Sequence, residues 1–298
     1  MRREWLIFAI ILCVIVTSSL SASADRLTVY VVNYPLKYFA ERIAGEHATV
    51  ILPAPAGKDP AFWMPDAKTI ADYQRADLIL LNGANYAKWI NKVALPQFRL
   101  VDTSANFKDR YIKISNVMTH THGPAGEHAH AGVAFTTWLD IDLAAQQAKA
   151  IASALGHKRP ALSDTFESNY AALEKDLANL DREIKQIVAN NQDLPLVASH
   201  PVYDYLARRY GINIKSVHWE PDQAPSRNQW GELQVVLKGH PAQWMIWEGE
   251  PLPATVEILK SNGIRSVVFN PSANAPEQGD FLSVMRQNVE NLRAVFSR

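Results

Sequence analysis

The sequence predicts an α/β protein of two lobes, each carrying a mainly parallel sheet flanked by helices, joined by one long rigid helix. Two observations predict it. Short apolar, β-branched runs alternate with amphipathic stretches in two separate series, and the longest helical pattern of the chain lies between the series. Alternating strand and helix patterns mark βαβ units, whose crossover helices cover both faces of a parallel sheet.

The first series comprises LTVYVVN (27–33), TVILP (49–53), LILLNG (78–83) and RLVDTS (99–104), with helical stretches at Leu36–Ile43 and Thr69–Gln74. The second comprises LPLVAS (194–199), INIKSVH (212–218), QWMIWE (243–248) and RSVVFN (265–270), closed by an amphipathic helix near 280–297. Between them, Leu162, Phe166, Tyr170, Leu173, Leu177, Leu180, Ile184 and Ile187 are spaced 4, 4, 3, 4, 3, 4 and 3. That spacing puts all eight on one helical stripe. Pro160 suits a first helical turn, where its missing N–H costs nothing. Roughly 30 residues give a rod of about 45 Å, enough to run the height of both lobes and resist hinge bending. The stripe can be buried against the lobes themselves, so no coiled-coil arm is needed and a monomer is expected. The chain thus divides into a leader (1–24), an N-terminal lobe (25–158), a linking helix (159–192) and a C-terminal lobe (193–298). A ligand cleft is expected at the C-terminal ends of the strands.

The leader reads as a signal peptide. Arg2 and Arg3 precede twelve unbroken apolar residues, Trp5 to Val16, and Ala22-Ser23-Ala24 supplies a small-x-small cleavage site. Twelve apolar residues are too few to span a bilayer, which takes about 20. Cleavage would remove Cys13, the only cysteine, and leave a mature chain without disulfides or thiolate ligands. Without Arg2, Arg3 and Glu4, 28 basic and 29 acidic residues remain, a net charge of −1. No basic excess favours nucleic acid or an anionic membrane. The expected location is periplasmic or otherwise extracytoplasmic.

Four of the nine histidines, His120, His122, His128 and His130, fall within eleven residues in THTHGPAGEHAHAG, part of a loop spanning 119–132. The residues between them are too small and polar for a packed helix face. Neutral imidazoles bind Zn²⁺ and its neighbours, and several on one loop can converge on one ion. A plain solvated loop is the alternative.

Six segments then carry a family resemblance over nearly the whole mature chain. YPLKYFAERIAGEHATV (34–50) looks like a first helix and second strand. GKDPAFWMPDAKTIADYQRADLILLNGANYAKWI (57–90) is similar to a D-P-H-x-Y-x-P segment followed by A-D-L and an N-G…W turn. TTWLDIDLAAQQAKAIASAL (136–155) resembles an H-x-W-L-D-P helix entry. SHPVYDYLARRYGI (199–212), APSRNQWGELQVVLK (224–238) and MIWEGEPLPATVEILKSNGI (245–264) follow the C-lobe pattern. In this order they resemble the periplasmic metal-binding receptors of zinc and manganese ABC importers. The resemblance implies a chelatase-like fold with a helical backbone and a divalent transition metal as cargo. Zn²⁺ is favoured, with Mn²⁺ or another such ion as the alternative. An ABC permease and its ATPase in the inner membrane are the implied partners.

The family's ligands, three histidines and a carboxylate at strand ends facing the cleft, carry over poorly. Ala61 stands at the first histidine, Thr136 at the second and Asn270 at the late aspartate; only His200 survives. One imidazole does not make a site. Three readings follow. Loop histidines replace the lost ligands beside His200 and Glu248, which ends an apolar strand. Alternatively, the cleft takes a larger or chelated ligand against Trp63, Trp138, Trp219 and Trp247, of which at least two are expected in the core. In the third reading the loop alone captures metal and hands it on. His47, His157 and His240 read as surface residues in turns, and His218 faces either the cleft or away from it. No G-x-S-x-G, Walker-type, G-x-G-x-x-G or H-E-x-x-H motif occurs. Ser199 and His200, adjacent in an extended strand, point to opposite faces and cannot form a nucleophile–base pair. An enzyme is not expected.

Overall fold

The computed structural model describes residues 26–114, 119–121, 127–129 and 132–297. The expected signal peptide lies outside these residues, as do His122 and His130. Strands β1 (Leu27–Val31), β2 (Ala48–Ile51), β3 (Leu78–Leu81) and β4 (Leu100–Asp102) form an all-parallel sheet in the order β2-β1-β3-β4. Two short antiparallel pairs follow: β5 (Lys113–Ile114) with β8 (Gly132–Val133), and β6 (Thr119–Thr121) with β7 (Glu127–Ala129). The second sheet, β9 (Leu196–Ala198), β10 (Ile214–Ser216), β11 (Trp244–Trp247) and β12 (Arg265–Val268), is also all parallel, in the order β10-β9-β11-β12. The two sheets therefore have one topology. Seven of the eight strands of the two sheets lie within the stretches that the apolar runs predict, and β2 begins one residue before its run, at Ala48.

Helix starts obey local chemistry. α1 (Tyr34–Ala44) has Asn33 as its cap, accepting from Leu36 N at 3.3 Å, and Pro35 in its first turn. α2 (Ala67–Arg75) is capped by Asp66, which accepts from Thr69 N at 2.7 Å. α3 (Ile141–Lys158) is capped by Asp140. α4 (Ser163–Val188) is the long helix, 26 residues or about 39 Å. Pro160–Leu162 forms a separate 3₁₀ turn, because Leu162 (φ −109°, ψ 7°) leaves helical geometry before α4 begins. The rod is thus shorter than the apolar stripe suggests, but Phe166, Tyr170, Leu173, Leu177, Leu180, Ile184 and Ile187 are all buried. Beyond it come α5 (Asp204–Tyr210), ended by left-handed Gly211, α6 (Arg227–Gly239), α7 (Pro253–Ser261) and α8 (Phe281–Phe296). α6 and α8 both open with capping boxes, Ser226/Gln229 and Asp280/Ser283.

The second sheet feeds two cores by simple alternation. Leu196, Ala198, Trp244 and Ile246 join the main cluster, which runs through α1, α3, α4 and α8 into the first sheet. Val197, Met245 and Trp247 join a smaller cluster with Val217, Trp219, Leu233 and Leu259. Side chains two residues apart share a face, so each strand packs one set inward and the other outward.

Beside the shared apolar core, specific polar contacts join the lobes. Trp138 Nε1 donates to Pro271 O (2.8 Å), Tyr34 N to Ala273 O (2.9 Å), and Asn274 Nδ2 to Pro55 O and Lys58 O (2.7 Å each). Asp140, with a side chain 1% exposed, is ringed by Arg110 Nη2 (3.3 Å), Arg208 Nη2 (3.4 Å) and Arg209 Nε (3.6 Å). Arg208 and Arg209 come from α5, so this clasp ties the second lobe to the cap of α3. Arg209 also grips Asp181 of α4 through Nη2 (2.9 Å).

Removing one partner of a buried ion cluster leaves charge uncompensated and costs more than a surface pair would. Asp140→Ala is expected to destabilise by about 3 kcal/mol, seen as a lower denaturant midpoint with an unchanged slope. Burial alone would raise the Asp181 carboxyl, but hydrogen bonds from Arg209, Lys185 and Tyr210 outweigh it and hold the group below its ordinary value. A depressed folded pKa contributes stability that is fully present above the unfolded value, about 3.9, and lost as pH falls through the folded one. The melting-temperature gap between the native chain and Asp181→Asn should therefore be constant from pH 7 to about 5 and shrink below about 4.

Candidate metal centre

The pairing of β10, β9 and β11 runs past their last residues. Val217 N donates to Ala198 O (2.9 Å), Ser199 N to Ile246 O (2.8 Å) and Trp219 N to Ser199 O (2.7 Å). Ala198 is level with Ser216 on one side and Ile246 on the other. His200 and Glu248 follow Ala198 and Ile246 by two residues, so the pleat returns them to the same face. Trp219 N bonds Ser199 O where an unbroken register would use His200 O, so His218 is one residue out of step with His200. Glu220 follows His218 by two and shares its face.

The geometry gathers them. His200, with a side chain 4% exposed, has Nδ1 3.7 Å from Glu220 Oε1 and 3.9 Å from Glu248 Oε1. One ligand atom from each of the three lies within 4.8 Å of the other two. The His218 ring stands edge-on to that of His200, centroids 5.9 Å apart and planes at 73°. Zinc bonds of about 2.1 Å in a tetrahedron hold donors about 3.4 Å apart, so only a small contraction by two flexible glutamates is needed. Two carboxylates and a neutral imidazole balance the charge of a dication, and burial of His200 strengthens that balance. Behind the row, burial first and the Glu248 charge second hold the Tyr203 hydroxyl well above its ordinary value, and it donates to Phe269 O (2.8 Å). Tyr203 therefore braces the loop after β12 as a neutral donor.

The other positions that the resemblance implies carry no imidazole or carboxylate. Ala61 is buried, its N–H bound to Asp59 Oδ1 (2.8 Å). Thr136 is buried with its hydroxyl donating to Val202 O (2.6 Å). Asn270 is exposed, and its Oδ1 accepts from Ser272 N (2.7 Å). Trp63 is half-buried. Trp138, Trp219 and Trp247 are fully buried, in line with the expectation that at least two of the four lie in the core, so none of the three lines the cleft. Trp138 packs edge-on to Tyr86 (5.6 Å), and Trp219 packs against Trp230 (4.7 Å) and Trp247 (6.0 Å). His240 is likewise no surface residue: it is buried, with Nε2 2.8 Å from Leu196 O.

The described parts of the His-rich segment pair as strands, with His120 opposite His128. The β-branched Thr119 and Thr121 favour that extended form. The sequence reading picked out His200 and Glu248 for the centre, left His218 undecided and missed Glu220. The signal for Glu220 was the H-x-E spacing at 218–220, which places both side chains on one face if the strand runs on past Ser216.

Residues 29–295 match the model of a family described as zinc-uptake complex component A, periplasmic. The chain belongs to this family. Among zinc-uptake component A relatives, the zinc-binding lipoprotein AdcA of Streptococcus pneumoniae is 27% identical, the alignment covering 94% of this chain and 58% of AdcA. The high-affinity zinc uptake system protein ZnuA of Bacillus subtilis is 24% identical, covering 92% of this chain and 89% of that protein. The chain thus spans little more than half the length of the AdcA relatives it matches. The fold is shared with the Zn(II)-bound ZnuA-like domain of S. pneumoniae AdcA, at a TM-score of 0.77 and 23% identity over 92% of this chain and all of that one. It is also shared with the metal-dependent lipoprotein YcdH of B. subtilis, at a TM-score of 0.75 and 22% identity over 90% of this chain and 98% of that one.

Proposed function

We propose that this chain is the extracytoplasmic receptor of a zinc importer, capturing Zn²⁺ at His200 between Glu220 and Glu248 and presenting it to an ABC permease driven by its ATPase. The observation that carries the reading is the convergence of a buried imidazole and two carboxylates within 4.8 Å. Membership in the zinc-uptake family and the names of the AdcA and ZnuA relatives support zinc over manganese as cargo. Imidazole in the donor set also favours ions later in the series. The signal-peptide pattern of residues 1–24 supports export to the periplasm. Among the described residues no helix is long and apolar enough to cross a membrane. The job is capture and delivery, with no catalytic step.

Glu220 joins His200 and Glu248 as a third donor, and we assign His120, His122, His128 and His130 to collecting ions ahead of the cleft. The aromatic-walled reading loses Trp138 and Trp219, which are packed in the interior.

Calorimetric titration of Zn²⁺ into the mature, untagged protein tests this. His200→Ala should weaken the tight site by more than about 100-fold, beyond the cost of losing an outer-shell partner. Deleting 119–130 should reduce the number of weak ions taken up and leave the tight site in place. Loss of all binding on deletion, with His200→Ala silent, would show instead that the loop alone holds the metal.

A further inference from the structure

Residues 134–138 lead from β8 towards α3 and are stitched to both lobes. The bonds to the C-terminal lobe all come from even positions. Tyr205 Oη donates to Ala134 O (3.1 Å), Thr136 Oγ1 to Val202 O (2.6 Å) and Trp138 Nε1 to Pro271 O (2.8 Å). Phe135 and Thr137, between them, bond within the N-terminal lobe. Asn82 Nδ2 donates to Phe135 O (2.9 Å), and Thr137 Oγ1 donates to Gln147 Oε1 (3.4 Å). Asn82 is itself buried and tied to Asn33 Nδ2 (3.1 Å) and Gln147 Nε2 (3.2 Å), so one side of this strap is fixed to the end of the first sheet.

The middle rung reaches the metal centre. Val202 N donates to His200 O (2.9 Å) across Pro201, a three-residue turn whose central φ the proline ring fixes. On the other side of His200, Ser199 is held by the second sheet through Ile246 O and Trp219 N. His200 therefore stands between an anchor from its own sheet and, two residues on, an anchor from the opposite lobe. Tyr203 adds a tie within the C-terminal lobe, to Phe269 O. We infer that Thr136 is a positioning residue for the metal site, its hydroxyl fixing through Val202 O the turn that carries His200. The inference rests on the receptor reading above. Thr136 is 5% exposed, so its bond is largely shielded from water, where a hydrogen bond is electrostatically stronger. His200 Nδ1 is 3.7 Å from Glu220 Oε1 and 3.9 Å from Glu248 Oε1, so a displaced turn would carry the imidazole out of place against both carboxylates at once. A position where the resemblance implies a histidine thus acts here through the backbone of the histidine that is retained.

Competition of Zn²⁺ between a chelating dye and the mature full-length protein tests this on Thr136→Val, Thr136→Ser, Asn274→Ala and His200→Ala. Valine keeps the shape of Thr136 and loses the donor, serine keeps the donor, and Thr136→Ala is the second donor-free variant should Thr136→Val not fold. Asn274→Ala removes a different tie between the lobes, to Pro55 O and Lys58 O, which does not touch the His200 turn. Metal-free melting temperatures confirm that each variant is folded. Thr136→Val should weaken the tight site at least about tenfold, Thr136→Ser should restore it to within about threefold, and Asn274→Ala should leave it within about twofold. The d–d absorption of Co²⁺, used in place of Zn²⁺, should shift in Thr136→Val and return in Thr136→Ser. If Thr136→Val binds as the native chain does, if serine fails to restore binding, or if Asn274→Ala weakens it equally, Thr136 is no more than one tie among several. The inference then falls, and the receptor reading stands as long as His200→Ala abolishes tight binding. If His200→Ala is silent, both fall.

Discussion

Parallel strands all end on the same edge of their sheet, and the hydrogen-bond ladder sets which residues are level there. In the C-terminal lobe that constraint determines the site. Backbone bonds continue beyond β9 and β10, from Ser199 N to Ile246 O and, with the register slipped by one residue, from Trp219 N to Ser199 O. They bring His200, Glu220 and Glu248 together at the strand ends. The alternation that turns Val197, Val217 and Met245 into the smaller core turns the ligand row to the other face. Moving one strand by a single residue would exchange the two sets, burying imidazole and carboxylate among tryptophans. Packing of Trp219 and Trp247 therefore protects the register on which the site depends.

The rest of the molecule holds that edge in place. α4 packs on α1 and α3 of the first lobe and on α5 and α8 of the second, and its buried stripe belongs to a core that both lobes share. At the junction, Asp140 caps α3 while accepting three guanidinium groups, two of them from the helix that follows His200. The chain from His200 to Arg209 is thus fixed at one end by the sheet and at the other by the clasp. Tyr203, between them, is tied to Phe269. A site with such supports is preorganised, and binding need not order it.

The fold was legible because period-2 and period-3.6 patterns are local properties, and all eight principal strands and the long helix announce themselves that way. The start of α4 was less legible, since Pro160 is compatible with either a helix or a 3₁₀ turn and Leu162 decides between them. The site was only half legible. His200 and Glu248 stand where apolar strands end, a position that sequence marks well. Glu220 follows a strand read as ending at His218, and its place depends on ladder bonds that no local pattern encodes. The places of Trp138, Trp219 and His240 were not legible for a related reason: flanking a cleft in sequence does not say which face a side chain takes. His240 sits in a turn yet reaches back to Leu196 O, a contact between residues 44 apart.

X-ray absorption at the zinc edge, on mature protein loaded with one equivalent of Zn²⁺, tests the central claim most directly. The account predicts a four-coordinate ion whose first shell mixes imidazole nitrogen from His200 with carboxylate oxygen from Glu220 and Glu248, at bond lengths of about 2.0–2.2 Å. A first shell containing three or four imidazoles would place the ion among the loop histidines and contradict a site built on the strand ends of the C-terminal lobe.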